Sequence, residues 1–193
     1  MYRWLDGRNP VAGAVEEPER LAGELGACLA ALRRIDPQDG PPAHRGVPLA
    51  TRDAPTRAAL EQLAGRIDTD RVTCLWEQAL RVPEHDGAPA WLHGDLCPGN
   101  VLVAAGGLSA VIDFGCAGTG DPAVDLIVAW NLLPAAARDI FRTAVGAGDA
   151  EWARGRGWAL SISLIQLPYY WHTNPALAEN SRHVIAEILA EAG

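Results

Sequence analysis

The chain has 193 residues, with 24 acidic against 16 basic side chains, a formal net charge of −8, and 49% hydrophobic residues including seven tryptophans. Such a composition describes a folded globular protein with room for one substantial core, and its acidity makes it a poor generic partner for nucleic acid or anionic membrane. No run of about eighteen apolar residues offers a membrane span, and the opening Met1-Tyr2-Arg3-Trp4-Leu5-Asp6-Gly7 lacks the apolar core of a secretory signal, so the chain is read as cytoplasmic.

In chain order, the first clear element is a helix over Pro18 to Ile35. Leu21, Leu25, Cys28, Leu29, Leu32 and Ile35 fall on one face at spacings of three and four. Glu16, Glu17 and Glu19 sit at the positive end of its dipole and Arg33-Arg34 at the negative end; Pro18 suits the first turn and Asp36-Pro37 stops it. Residues 36–53, rich in Pro, Gly and Asp, read as a long irregular loop. It is expected to be solvated, with His44, Arg45 and Arg52 the side chains in it that could meet a substrate. Helices are expected over Ala54 to Ile67, with Leu60, Leu63 and Ile67 inward, and over Arg71 to Arg81, with Val72, Leu75, Trp76 and Leu80 inward.

Val82 to Pro89 is a turn-rich connector into a short strand at Trp91-Leu92. Pro98-Gly99 supplies a turn, Val101-Leu102-Val103 a strand, Ala105-Gly106-Gly107 a hairpin turn and Ala110-Val111-Ile112 the return strand. Cys116 to Gly120 reads as a tight, bent segment. Asp121 as N-cap and Pro122 at the first position then open a helix over Ala123 to Leu132. Further helices are expected over Ala135 to Ala147, Glu151 to about Trp171 with Pro168 kinking or ending it, and Pro175 to Ala192 with Leu177, Val184, Ile185, Ile188 and Leu189 inward. The four cysteines form no C-x-x-C pair and the five histidines show no ligand-like spacing with them, so neither a zinc site nor a disulfide framework is expected.

Chemistry concentrates between His93 and Asp113. The run His93-Gly94-Asp95-Leu96-Cys97-Pro98-Gly99-Asn100 separates Asp95 from Asn100 by four residues; the hairpin follows, then Asp113-Phe114-Gly115. This is the spacing of the H-R-D-x-x-x-x-N catalytic loop and D-F-G of protein kinases, with Gly94 in place of the Arg. Together with Gly120-Asp121-Pro122-Ala123-Val124-Asp125-Leu126, it resembles the aminoglycoside phosphotransferase branch of the kinase-like fold, which choline kinases and related small-molecule kinases share. A hairpin with Asn100 at its start and Asp113 at its end puts both at one open end, although they lie thirteen apart in sequence.

The resemblance implies a role for each residue. Asp95 accepts or orients the proton of an attacking hydroxyl, while Asn100 and Asp113 hold Mg2+ against the phosphates of ATP, since magnesium favours hard oxygen donors. His93 stands beside Asp95 as a candidate catalytic residue, either buttressing the loop through a backbone hydrogen bond or taking part in proton transfer. Asp121 and Asp125 support the loop, and the backbone of Arg3, Trp4 and Leu5 meets the adenine as the hinge between two lobes. The acceptor is a small molecule, and the acidic balance suits a cationic one, as in antibiotic resistance by aminoglycoside modification. Tyr169, Tyr170, Trp171 and His172, with Asp149, Glu151, Glu179 or Glu187, are read first as core aromatics and solvated acids, and second as an acceptor wall.

The expected architecture is α+β and mostly helical: the C-terminal lobe of a kinase-like fold carrying a small catalytic β-hairpin. Residues 1–15 form a hinge remnant and 16–193 the lobe, divided into a helical part (16–89), the catalytic loop and hairpin (90–116) and C-terminal helices (117–193). All sixteen basic residues are arginine. The phosphate-binding Lys and the Gly-rich loop of the family's N-terminal β-lobe therefore have no counterpart here, and that lobe is expected to be absent. Turnover by this chain alone is expected to be weak or nil, with self-association or a partner chain at the uncovered face. A binding module that keeps only the acceptor pocket is the competing reading.

Overall fold

The computed structural model describes residues 4–192. Its helices are α1 (Pro18–Arg33), α2 (Asp53–Gln62), α3 (Thr69–Leu80), α4 (Val128–Asn131), α5 (Ala135–Val145), α6 (Asp149–Tyr170) and α7 (Pro175–Glu191). Its strands are β1 (Ala90–Leu92), β2 (Val101–Ala104), β3 (Gly107–Val111) and β4 (Gly118–Gly120). The fold is α+β and mostly helical, with one small hairpin. No helix among the described residues is long and apolar enough to cross a membrane.

The organising element is α6. Buried positions occur on all sides of it, among them Gly155, Gly157, Trp158, Leu160, Leu164 and Leu167, as expected of a helix surrounded by protein. Two glycines allow close approach. A Cβ at Gly155 would lie 2.7 Å from Cβ of Leu126 and 2.9 Å from the Ala123 carbonyl oxygen; one at Gly157 would lie 2.5 Å from Leu49. The turn Pro122–Ile127 is thereby pressed against α6, and the buried Asp121–Arg154 ion pair, 2.7 Å long, fastens its start to the same helix. Pro168 falls in the last turn of α6, which ends two residues later.

On the other side α1 lies along α5. Leu21, Ala22, Leu25, Gly26 and Leu29 are buried, but α1 stops at Arg33 and Ile35 is 53% exposed, outside the stripe expected to carry it. Arg33 turns instead to a 2.8 Å ion pair with Glu151 and to the Pro122 carbonyl. The helices expected over 54–67 and 123–132 are shorter than their patterns: α2 ends at Gln62, and residues 122–127 are a tighter 3-10 segment before a single turn of α4.

Two antiparallel strand pairs bracket the catalytic loop. β2 and β3 pair Val101 with Val111 and Ala104 with Gly107, with a bulge after Leu102. Their turn is the two residues Ala105 and Gly106, at φ 49° and 77°, the left-handed pair that hairpin twist favours. β1 pairs with β4, Leu92 opposite Gly118 and Ala90 opposite Gly120. β4 is a strand where the sequence pattern reads only a bend, because Gly-Thr-Gly is a poor strand former. The glycines serve a contact: a Cβ at Gly118 would sit 2.8 Å from the Ala43 backbone, and one at Gly120 2.5 Å from the Gly46 carbonyl oxygen. The loop between α1 and α2 is therefore not a solvated excursion. It lies along β4, with Ala43 N donating to Thr119 O at 2.9 Å and Thr119 N to Pro41 O at 2.8 Å.

The α1–α5 seam gives a stability test. A Cβ at Gly26 would meet Ala144 Cβ at 2.6 Å, the Phe141 carbonyl oxygen at 2.9 Å and the Val145 nitrogen at 3.0 Å. Two of these are backbone atoms that cannot swing aside. Gly26→Val should lose about 2 kcal/mol in urea unfolding, the overpacking outweighing the gain in helix propensity; an unchanged midpoint would mean the helices do not meet there.

Candidate active site

β1 delivers the chain into His93 and Gly94, where the backbone turns into the left-handed region at Gly94, φ 79°. A side chain is excluded as well, since a Cβ would stand 2.6 Å from the Cys116 carbonyl oxygen. The two N–H groups exposed by this turn are taken by one carboxylate: His93 N donates to Asp125 Oδ2 at 2.7 Å and Gly94 N to Oδ1 at 2.8 Å. Asp125 is buried in the Pro122–Ile127 turn. Burial pushes its pKa up, and the His93 and Gly94 N–H groups pull it back.

His93 is wholly buried, and its ring joins three segments. Nε2 lies 2.9 Å from the Ile112 carbonyl oxygen, Asp95 N donates to Nδ1 at 3.2 Å, and Phe114 packs edge-on with ring centroids 4.8 Å apart. With Nδ1 accepting, Nε2 carries the proton and donates it to Ile112. Both nitrogens are thus committed to backbone. Of the two roles expected for His93, the geometry supports the buttress and leaves no nitrogen for proton transfer.

Asp95 follows, its side chain 38% exposed. Asn100 reaches back across the loop, Nδ2 donating to the Asp95 carbonyl oxygen at 2.8 Å and lying 3.5 Å from its Oδ2. This leaves Oδ1 of Asn100 without a donor among the described residues. Ile112 N donates to Asn100 O at 2.9 Å, so Asn100 and the residue before Asp113 are bound across the mouth of the hairpin. Asp113 is exposed, at φ 61° and ψ 64°, and Gly115 leaves space for its carboxylate: a Cβ there would stand 3.2 Å from Oδ1. No group of three or more His, Cys, Asp or Glu among the described residues is placed to hold a metal by itself. The free Asn100 oxygen and the exposed Asp113 carboxylate fit Mg2+, which takes one or two protein oxygens and completes its shell with water and phosphate.

Three contacts of the loop are not visible in sequence. Asn9 donates from Nδ2 to the carbonyls of Gly99 at 2.8 Å and Val101 at 2.9 Å, and Asn131 to that of Leu96 at 3.1 Å. Arg45 pairs with Oδ1 of Asp95 and donates to the Gly94 carbonyl at 3.0 Å. Isolated asparagines carry no sequence signal, whereas Arg45 is one of the three side chains in its loop with the chemistry to meet a substrate. Asp121 does not touch the catalytic loop; it caps Ala123 and pairs with Arg154. Arg3 lies outside the described residues, and Trp4 and Leu5 are exposed, at 90% and 42%. In the supposed acceptor wall, Trp171 is flanked by Arg66 and Arg182, while Glu151 and Glu187 pair with Arg33 and Arg138.

A loop running from β1 through Asp95 to Asn100, closed by a hairpin that ends on Asp113, is the catalytic lobe of a kinase-like phosphotransferase. The chain belongs to the phosphotransferase enzyme family (APH), whose model matches residues 1–158. Among solved structures it is similar to the GDP and kanamycin complex of APH(2'')-IIia, with TM-score 0.70 and 16% identity over 100% of this chain and 71% of that one. It is similar also to macrolide 2'-phosphotransferase MphH from Brachybacterium faecium, with TM-score 0.57 and 24% identity over 95% and 68%. A third is a thermostable mutant of APH(4)-Ia in ternary complex with AMP-PNP and hygromycin B, with TM-score 0.57 and 21% identity over 99% and 71%. At these identities the likeness is one of fold. No curated protein matches the chain.

The Asp125 clamp is testable. Asp125→Ala leaves two buried N–H groups without an acceptor and should cost about 2 kcal/mol or more in urea unfolding. It should also speed hydrogen exchange of the Gly94 amide measured by NMR. Unchanged protection at Gly94 would show that Asp125 does not hold the loop.

Proposed function

We propose that this chain carries the catalytic machinery of an ATP-dependent phosphotransferase that moves the γ-phosphate to a hydroxyl of a small molecule. One observation carries the reading: Asp95, Asn100 and the residue preceding Asp113 are hydrogen-bonded around a single mouth, with hard oxygen atoms left open on Asn100 and Asp113. Phosphoryl transfer asks the protein for positioning and charge more than for covalent chemistry, and this loop supplies both. Asp95 receives the acceptor hydroxyl and takes its proton as the oxygen attacks the γ-phosphorus. The bond to the β,γ-bridging oxygen breaks, and the diphosphate leaves. Asn100 and Asp113 would hold Mg2+, which would supply positive charge to the nucleotide phosphates.

His93, Asp125 and Asn9 keep the loop in shape while this happens. The backbone of residues 3–5 receives the adenine, and ATP is assigned as donor; nucleotides named with similar structures, GDP and AMP-PNP, support a nucleotide in this fold. Kanamycin and hygromycin B in those complexes, and the macrolide in a third name, support an antibiotic or a similar hydroxyl-bearing molecule as acceptor and hence a resistance function. Net charge alone suits a cationic acceptor, but the side chains beside Asp95 bear on the choice more directly.

The test separates the two acidic roles. Asp95→Asn should lower turnover about 10^2- to 10^4-fold while nucleotide affinity stays, measured by calorimetry with ATP and magnesium. Asp113→Ala should abolish the magnesium dependence of that binding. Nucleotide binding indifferent to magnesium and to Asp113 would refute the assignment.

A further inference from the structure

Arg45 comes from the loop that lies along β4, and it meets the candidate base directly. One nitrogen, Nη1, makes both of its contacts, to the Gly94 carbonyl at 3.0 Å and to Oδ1 of Asp95. Its other donors, on Nε and Nη2, hold no hydrogen bond among the described residues. The pair is partly open, with the side chains of Arg45 and Asp95 27% and 38% exposed.

A second guanidinium shares the neighbourhood. Arg52, at the end of the same loop, lies over the Trp158 ring at 5.6 Å and donates from Nε to Ser161 Oγ at 3.4 Å. It forms no salt bridge among the described residues. Burial first, and then the charge of Arg45, hold its pKa below the ordinary arginine range. The two cations are therefore within each other's field, with Asp95 as the carboxylate paired to the first of them. The partly open edge of the Arg45 guanidinium thus borders Asp95, in a chain whose net charge is −8. The complement of such an edge is an anion.

We propose that Arg45, with Arg52 behind it, selects the acceptor: the site takes a hydroxyl compound bearing a carboxylate or phosphate group near the reacting hydroxyl, and disfavours polycationic aminoglycosides. The inference rests on Asp95 being the group that receives the acceptor, as proposed above. A planar guanidinium binds carboxylate or phosphate through two parallel N–H groups. The anion occupies the free edge of Arg45 and draws the guanidinium off Oδ1 of Asp95. That oxygen is then open to the hydroxyl only when the right acceptor is present. A polycation brings several like charges to the same place and meets repulsion instead.

Calorimetric titrations without nucleotide decide it, using D-gluconate, glucose 6-phosphate, glucose and kanamycin on the wild type and on Arg45→Gln. The wild type should bind at least one of the two anionic sugars about ten-fold or more tighter than glucose, the scale of one charge-assisted hydrogen bond, with kanamycin weakest. Which anion wins separates carboxylate from phosphate recognition. Arg45→Gln should erase that preference and strengthen kanamycin binding, Arg45→Lys, which keeps the charge but loses the two parallel N–H groups, should restore it only in part, and Arg52→Gln should move both probes in the direction of Arg45→Gln. Melting temperatures confirm that the variants are folded. Kanamycin as the tightest wild-type ligand, no binding of either anionic sugar, or affinities unchanged in folded Arg45→Gln would overturn the proposal. Because nucleotide is left out, a chain that fails to bind ATP, and so defeats the phosphotransferase reading, still reports which acceptor charge the site prefers.

Discussion

The structure depends on one carboxylate holding two amides. Asp125 is buried, and burial disfavours its charge. What offsets that cost is that both of its oxygens are filled, by the N–H groups of His93 and Gly94. The bond is useful because of what lies behind it. Asp125 sits on a turn that two close contacts and an ion pair fix to α6: Gly155 against Leu126 and Ala123, and Arg154 to Asp121. A rigid path therefore runs from the best-packed helix of the core, through the turn, to the backbone immediately before Asp95. Leu92, Leu96 and Val101, which alternate with the loop's polar residues, are part of that core, so packing sets where the loop lies.

The same economy governs the rest of the loop. An irregular segment passing through a protein exposes carbonyls with no ladder to satisfy them. Here side-chain amides do so: Asn9 takes those of Gly99 and Val101, Asn131 that of Leu96, and Asn100 that of Asp95. Each amide comes from a different part of the chain, so the loop is held from three sides. The side-chain oxygen of Asn100 is left at the hairpin mouth, whereas that of Asn131 is buried without a partner among the described residues. His93 completes the set by spending both ring nitrogens on backbone.

How much of this is legible in sequence follows from range. Spacing within the motif picks out the candidate residues, because Asp95, Asn100 and Asp113 are joined by a short loop and a hairpin whose turn residues announce themselves. Amphipathic periodicity finds the long helices, and overruns where a pattern outlasts its helix, as at Ile35. What escapes is contact between distant segments. β4 is Gly-Thr-Gly and has no strand signature, because its glycines answer to Ala43 and Gly46 rather than to local propensity. Asp121 enters as a loop support through the resemblance; across four residues of a tight helical turn it and Asp125 face different neighbours, Arg154 for the first and the His93 and Gly94 amides for the second. Asn9 and Arg45 reach the loop over 90 and 50 residues of sequence, beyond any pattern a window can read.

Arg45 also separates two meanings of charge. A net charge of −8 describes the field far from the protein, where solubility and encounter with large polyions are decided. Close to Asp95 that average has no authority, because a partly buried pair is screened little and the nearest groups dominate. The charged group paired with Asp95 is the Arg45 guanidinium. The loop between α1 and α2 is tied through its backbone to β4 and Asp121, yet it brings the Arg45 side chain to Asp95. The fold's likeness to known phosphotransferases speaks to the catalytic loop and not to the choice of acceptor.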